Sequence, residues 1–151
     1  VKHASAPQPP TAIAAIHRPA RREPLPRPLF AGGVSAGFPS PADDYIDRTL
    51  DLNELLISHP AATFFVRAAG DSMIGAGIHH NDILVVDRSL TATSGKIIIA
   101  VINGALTVKR LVRTAASCRL VAENPAYAAL EITEDSEFEV WGVVTSVIHQ
   151  F

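Results

Sequence analysis

One serine and one lysine in this 151-residue chain have settings suited to nucleophilic chemistry. Ser72 lies in Gly70-Asp71-Ser72-Met73, after the apolar run 63–69 and before a second glycine turn, Gly75-Ala76-Gly77. A hydroxyl at a strand end can be presented to a substrate, although serine is also favoured at turns and helix N-caps with no chemistry attached. The lysine is Lys109, in Thr107-Val108-Lys109-Arg110. Alternation along a strand sends one of Lys109 and Arg110 to the inner face. Lys109 shares its face with Thr107 and Leu111, and Arg110 shares its face with Leu106, Val108 and Val112. Periodicity therefore leaves open which cation is buried.

The elements that must position these residues are mostly strands. Runs at 63–69, 83–87, 96–102, 105–112, 118–123 and 138–148 are rich in β-branched or aromatic residues and bounded by Gly, Asn, Asp or Ser. Asn103-Gly104 joins two of them as a type I′ hairpin, because both central residues of that turn need positive φ. One short helix is predicted from Leu50 to about His59. Asp51 caps it with Glu54 three residues on, Leu52, Leu55 and Leu56 share a face, and Pro60 ends it. The fold class is mostly β, one compact domain with one short helix and an extended N-terminal arm.

Composition separates that arm from the body. Hydrophobic residues make up 48% of the chain and charged ones 19%, which excludes wholesale disorder. Nine of the eleven prolines fall at or before Pro41. Residues 1–36 carry +4, from Lys2, Arg18, Arg21, Arg22 and Arg27 against Glu23, so with a total of −2 residues 37–151 carry −6. Proline lacks the N–H that helices and sheets use, so the arm is expected to be flexible and extended or polyproline II, with little regular structure. An acidic body argues against sequence-specific DNA binding, and no helix-turn-helix is readable among the prolines. The run 11–16 is too short for a membrane span and makes a poor signal peptide. The single cysteine, Cys118, excludes an internal disulfide and, with the absence of an export signal, favours the cytoplasm.

Phe38 to Tyr45, Leu50 to Pro60, Phe65 to Ile74, Asp82 to Asp87, Leu106 to Leu111 and Trp141 to Val144 together carry a resemblance. Over about residues 29–149 the chain resembles the UmuD family of self-cleaving SOS mutagenesis proteins, related to the C-terminal domains of LexA and phage repressors. The resemblance implies a dimerising β-rich peptidase domain with a Ser-Lys dyad, Ser72 as nucleophile and Lys109 as general base. It also implies that the target is a peptide bond of the protein's own arm. RecA filaments on single-stranded DNA would act as co-protease, and the trimmed homodimer would assist a UmuC-type Y-family translesion polymerase. The arm here is longer than the family's usual arm, and Lys96 stands after Gly95 where relatives commonly carry an acidic residue. Lys96 is not expected to replace Lys109.

Ala36-Gly37 occupies the place of the family's small-residue-Gly cleavage site, and suits an extended peptide approaching a nucleophile because neither residue obstructs it. Ala31-Gly32 is chemically similar but lacks the Phe-Pro-Ser-Pro that follows. In the implied mechanism burial strips Lys109 of its proton, the neutral amine activates Ser72, and backbone N–H groups at Asp71 and Ser72 hold the oxyanion. No cofactor is needed.

Other reactive residues read more simply. His79-His80 diverge as neighbours and no third histidine or cysteine lies near, so a turn is expected there rather than a metal. Asp82 and Asp87 are expected as turn or rim residues, Phe138 and Trp141 in the core or a dimer interface, and Cys118 as an inert thiol. Two rival functions use the same residues. Signal peptidases share the Ser-Lys pair but need an apolar anchor. A non-enzymatic β adaptor would keep Ser72 and Lys109 for structure alone and use its arm to bind partners.

Overall fold

The structure, a computed structural model, describes residues 12–17, 23–30 and 46–151. They fall into two compact units, 12–17 with 59–151, and 23–30 with 46–58.

The larger unit is built on one eight-stranded sheet. Its strands are β1 (Ala12–His17), β4 (Thr63–Ala69), β5 (Ile83–Asp87), β6 (Ile97–Ile102), β7 (Ala105–Arg113), β8 (Cys118–Val121), β9 (Leu130–Ile132) and β10 (Phe138–Ile148). Their order is β1-β4-β5-β10-β6-β7-β8-β9, and each neighbouring pair is antiparallel. A further bridge sets Ala12 of β1 opposite Thr107 of β7 and so links the first strand to the sixth in the order. Two apolar clusters fill the unit. One includes Val66, Met73, Leu84, Ile99 and Val108, and the other Ile98, Leu111, Leu120 and Val143. Trp141 packs against the first and Phe138 against the second.

The smaller unit holds β2 (Arg27–Phe30) paired antiparallel with β3 (Ile46–Leu50), followed by the helix α1 (Leu52–Leu56). Asp51 caps α1 as expected, its carboxylate accepting from the Asn53 N–H at 2.8 Å. The same side chain accepts from the Leu25 N–H at 2.6 Å, and these backbone donors hold its pKa below the usual carboxylate range.

The strands predicted at 63–69, 83–87 and 138–148 are present with those bounds, and the chain is mostly β, as expected. Three expectations are corrected. The helix is five residues long, because Leu50 pairs with Arg27 as the last residue of β3. Its apolar residues do not bury a face, with Leu52 and Leu55 more than half exposed. Residues 12–17 and 27–30 form strands where little regular structure was expected. In both, pairing with a distant strand supplies the hydrogen bonds that local sequence does not signal. Among the described residues, no helix is long and apolar enough to cross a membrane.

Candidate active site

Ser72 is placed by the turn that leaves β4. The strand ends at Ala69, and Gly70 takes φ 86, a left-handed conformation that glycine adopts without strain. The chain then passes through Asp71 and Ser72 into a 3-10 turn at Ile74–Ala76. Long-range contacts fix this turn. Tyr127 donates its hydroxyl hydrogen to the Asp71 carboxylate, which raises the phenol's pKa, and Asn124 Nδ2 donates to the Asp71 carbonyl at 3.0 Å. A peptide unit is planar and trans, so holding the Asp71 carbonyl also fixes the direction of the Ser72 N–H. Gly75 donates its N–H to the Glu123 carbonyl at 2.7 Å, and a Cβ at Gly75 would stand 2.5 Å from that oxygen. Backbone approaches backbone here, and only glycine permits it.

Lys109 is placed by a hairpin. Asn103 and Gly104 have φ 48 and 78, as a type I′ turn requires, and the register runs from Ile102 opposite Ala105 to Ile97 opposite Arg110. The ambiguity between the two cations is resolved by their neighbours. Lys109 is 2% exposed, with Nζ 3.0 Å from Ser72 Oγ, 3.2 Å from Thr107 Oγ1 and 3.0 Å from the Val108 carbonyl oxygen. Arg110 turns to the other face, where it pairs with the Glu123 carboxylate and donates from Nη1 to the Gly95 carbonyl at 2.6 Å.

Ser72 is fully buried beside Lys109. The lysine's three hydrogen-bond partners are two hydroxyls and a carbonyl, none of which carries a negative charge. Desolvation accordingly pushes its pKa down to about 8. At neutral pH a fraction of order one tenth of such a lysine is the free amine, against less than a thousandth at the ordinary value of about 10.4.

Residues 28–145 match the Peptidase S24-like family. The chain belongs to that family. Among curated proteins it is 49% identical to Protein ImpA of Salmonella typhimurium over 125 residues, 82% of this chain and 84% of ImpA. Protein MucA of Escherichia coli is 46% identical over 119 residues, covering 78% of this chain and 81% of MucA. LexA repressor 1 of Xanthomonas campestris pv. campestris is 39% identical over 119 residues, 79% of this chain and 59% of the repressor. ImpA and MucA are UmuD-like SOS mutagenesis proteins, so the expected resemblance holds. This S24 chain is an SOS mutagenesis protein and a serine peptidase of the autocleaving kind.

The structure brings Ser72, Lys109 and the Asp71–Ser72 peptide together. Ala36 and Gly37 lie outside the described residues. Lys96 is exposed and donates its backbone N–H to the Thr93 carbonyl in the turn before β6. Asp82 and Asp87 are not rim residues, each being 3% exposed. Asp82 accepts from the His79 N–H and binds His149, while Asp87 accepts from Ser89 and binds His59. Desolvation works to raise both carboxyls, and these hydrogen bonds outweigh it and hold them below the usual range. Thr107 is read from sequence only as sharing the Lys109 face, and Asn124 and Tyr127, which lie 53 and 56 residues beyond Asp71, carry no sequence signal.

Proposed function

We propose that Ser72 and Lys109 form a catalytic dyad that cleaves the chain's own Ala36–Gly37 bond. The supporting observation is the 3.0 Å approach of a desolvated lysine to a buried serine hydroxyl. The neutral amine of Lys109 takes the proton of Ser72 Oγ as that oxygen bonds to the Ala36 carbonyl carbon. Backbone N–H groups at Asp71 and Ser72 receive the oxyanion, a contribution of about 3–4 kcal/mol per donor in related chemistry. The intermediate collapses by breaking the bond from the Ala36 carbon to the Gly37 nitrogen, and the Lys109 ammonium gives its proton to that nitrogen. Lys109 then deprotonates a water that attacks the ester carbon, the bond from that carbon to Ser72 Oγ breaks, Lys109 returns its proton to Oγ, and Ala36 is released as the acid, which ionises to the carboxylate.

Around this reaction we place the family's setting. The protein is a cytoplasmic homodimer, RecA filaments on single-stranded DNA favour the docked arm, and the trimmed form assists a Y-family polymerase of the UmuC type. A minor docked population raised by the filament accounts for a latent enzyme.

The test is a mass spectrum of the purified chain after incubation from pH 6 to 9, with and without RecA, ATP and single-stranded DNA. Two fragments, 1–36 and 37–151, are expected from the wild type and neither from Ser72→Ala or Lys109→Ala. The rate of the chemical step should climb about tenfold per pH unit below 8 and level off above it, because the protonated lysine is no base. An intact chain under all conditions would leave the adaptor reading standing. Fragments joined elsewhere would move the bond and keep the dyad.

A further inference from the structure

A second cluster of reactive side chains lies away from Ser72, where the β4–β5 connection meets the end of β10. The pairing of Ile148 with Ile83 carries the antiparallel register one step further, so that His149 arrives beside Asp82. His149 Nδ1 is 2.5 Å from Asp82 Oδ1, and His79 Nδ1 is 3.6 Å from Asp82 Oδ2. The histidine ring centroids are 5.3 Å apart, and one donor atom from each of the three residues lies within 4.8 Å of the other two.

From this convergence we infer a binding site for one late first-row divalent cation, of the Zn²⁺ kind, with His79, Asp82 and His149 as ligands and water completing the shell. Two imidazoles and one carboxylate suit such ions, whereas the harder Mg²⁺ and Ca²⁺ take oxygen donors. The carboxylate is prepared for the task. Asp82 is 2% exposed at its side chain, its partner in the turn is the His79 N–H at 2.7 Å, and its own backbone is tied to β4, the Ala68 N–H donating to its carbonyl at 2.9 Å. Both imidazoles are about half exposed, at 54% and 45%, so they can rotate the remaining distance to ligand geometry. Binding replaces the His149–Asp82 hydrogen bond. The ion would fasten the end of β10 to the loop whose first residue, Gly70, donates its N–H to His80 Nδ1. The site is independent of the peptidase reading.

Calorimetric titration of tag-free, chelator-treated protein with ZnCl₂ tests it, supported by CoCl₂ absorption spectra. One ion per chain is expected, with affinity falling at least about tenfold in His79→Ala and His149→Ala and unchanged in His80→Ala and Cys118→Ser. Both ligand substitutions lie on exposed side chains, so their folding can be verified by circular dichroism. Zinc should also raise the melting temperature of the wild type and not of His149→Ala. No binding, or binding lost only in Cys118→Ser or His80→Ala, overturns the site and leaves the His149–Asp82 contact as a hydrogen-bonded pair.

Discussion

The two faces of β7 treat positive charge in opposite ways. On one face Arg110 meets the Glu123 carboxylate and a backbone carbonyl, and its side chain keeps a third of its surface in solvent. On the other, one residue earlier, Lys109 is sealed from water among hydroxyls and a carbonyl. Arg110 has a carboxylate as its counter-ion. Lys109, with no carboxylate among its three hydrogen-bond partners, is desolvated, and its pKa is pushed down to about 8. The contrast teaches that the depressed pKa of Lys109 is made by what is left out of its surroundings, while its neighbour Arg110 has a carboxylate partner.

Supplying the missing counter-ion is the strongest way to break this contrast. Thr107→Asp puts a carboxylate beside Nζ, where the threonine oxygen now stands at 3.2 Å. A raised lysine pKa is expected, with self-cleavage slowed about 10–100-fold at pH 7 and the break in the pH profile moved up by one to two units. Thr107→Asn, similar in shape but uncharged, should leave the break near 8, which separates charge from packing.

A smaller effect is expected from Gly75→Ala. The added methyl meets the Glu123 carbonyl, so the turn carrying Ser72 must shift away from the bend after β8 that carries the arginine's partner. A loss of about 1–3 kcal/mol in denaturant unfolding is expected, with slower cleavage and an unmoved pH break. The smallest effect belongs to Arg110→Ala. Partly exposed ion pairs contribute about 0–1 kcal/mol, so stability should drop by no more than that and cleavage should stay within about twofold. A large rate loss in this variant would mean that the two faces are not separable.

How far the sequence disclosed these features follows from the range of the forces involved. Strands 63–69, 83–87 and 138–148 announce themselves through continuous β-branched runs, and the hairpin through Asn103-Gly104. Ser72 and Lys109 were legible as candidates, and the resemblance to UmuD-like proteins ordered them. The choice between Lys109 and Arg110 was not legible from alternation, because Thr107, Val108, Lys109 and Leu111 are all buried and the strand has no clean outer face. β9 is three residues long and β1 an alanine-rich run beside prolines, so neither carries a local signal, and both exist through their partners. The meeting of His79, Asp82 and His149 was hidden for the same reason, since 67 residues separate Asp82 from His149.

The bridge from Ala12 to Thr107 has a consequence for the end of the reaction. In the proposed cleavage at Ala36–Gly37, β1 precedes the scissile bond but belongs to the sheet, so severing the chain there would turn an internal strand into a bound peptide. Its departure becomes a dissociation with its own lifetime, and until it leaves the edge of β4 stays occupied. Under that proposal scission and unmasking of the β4 edge would be two events on two clocks.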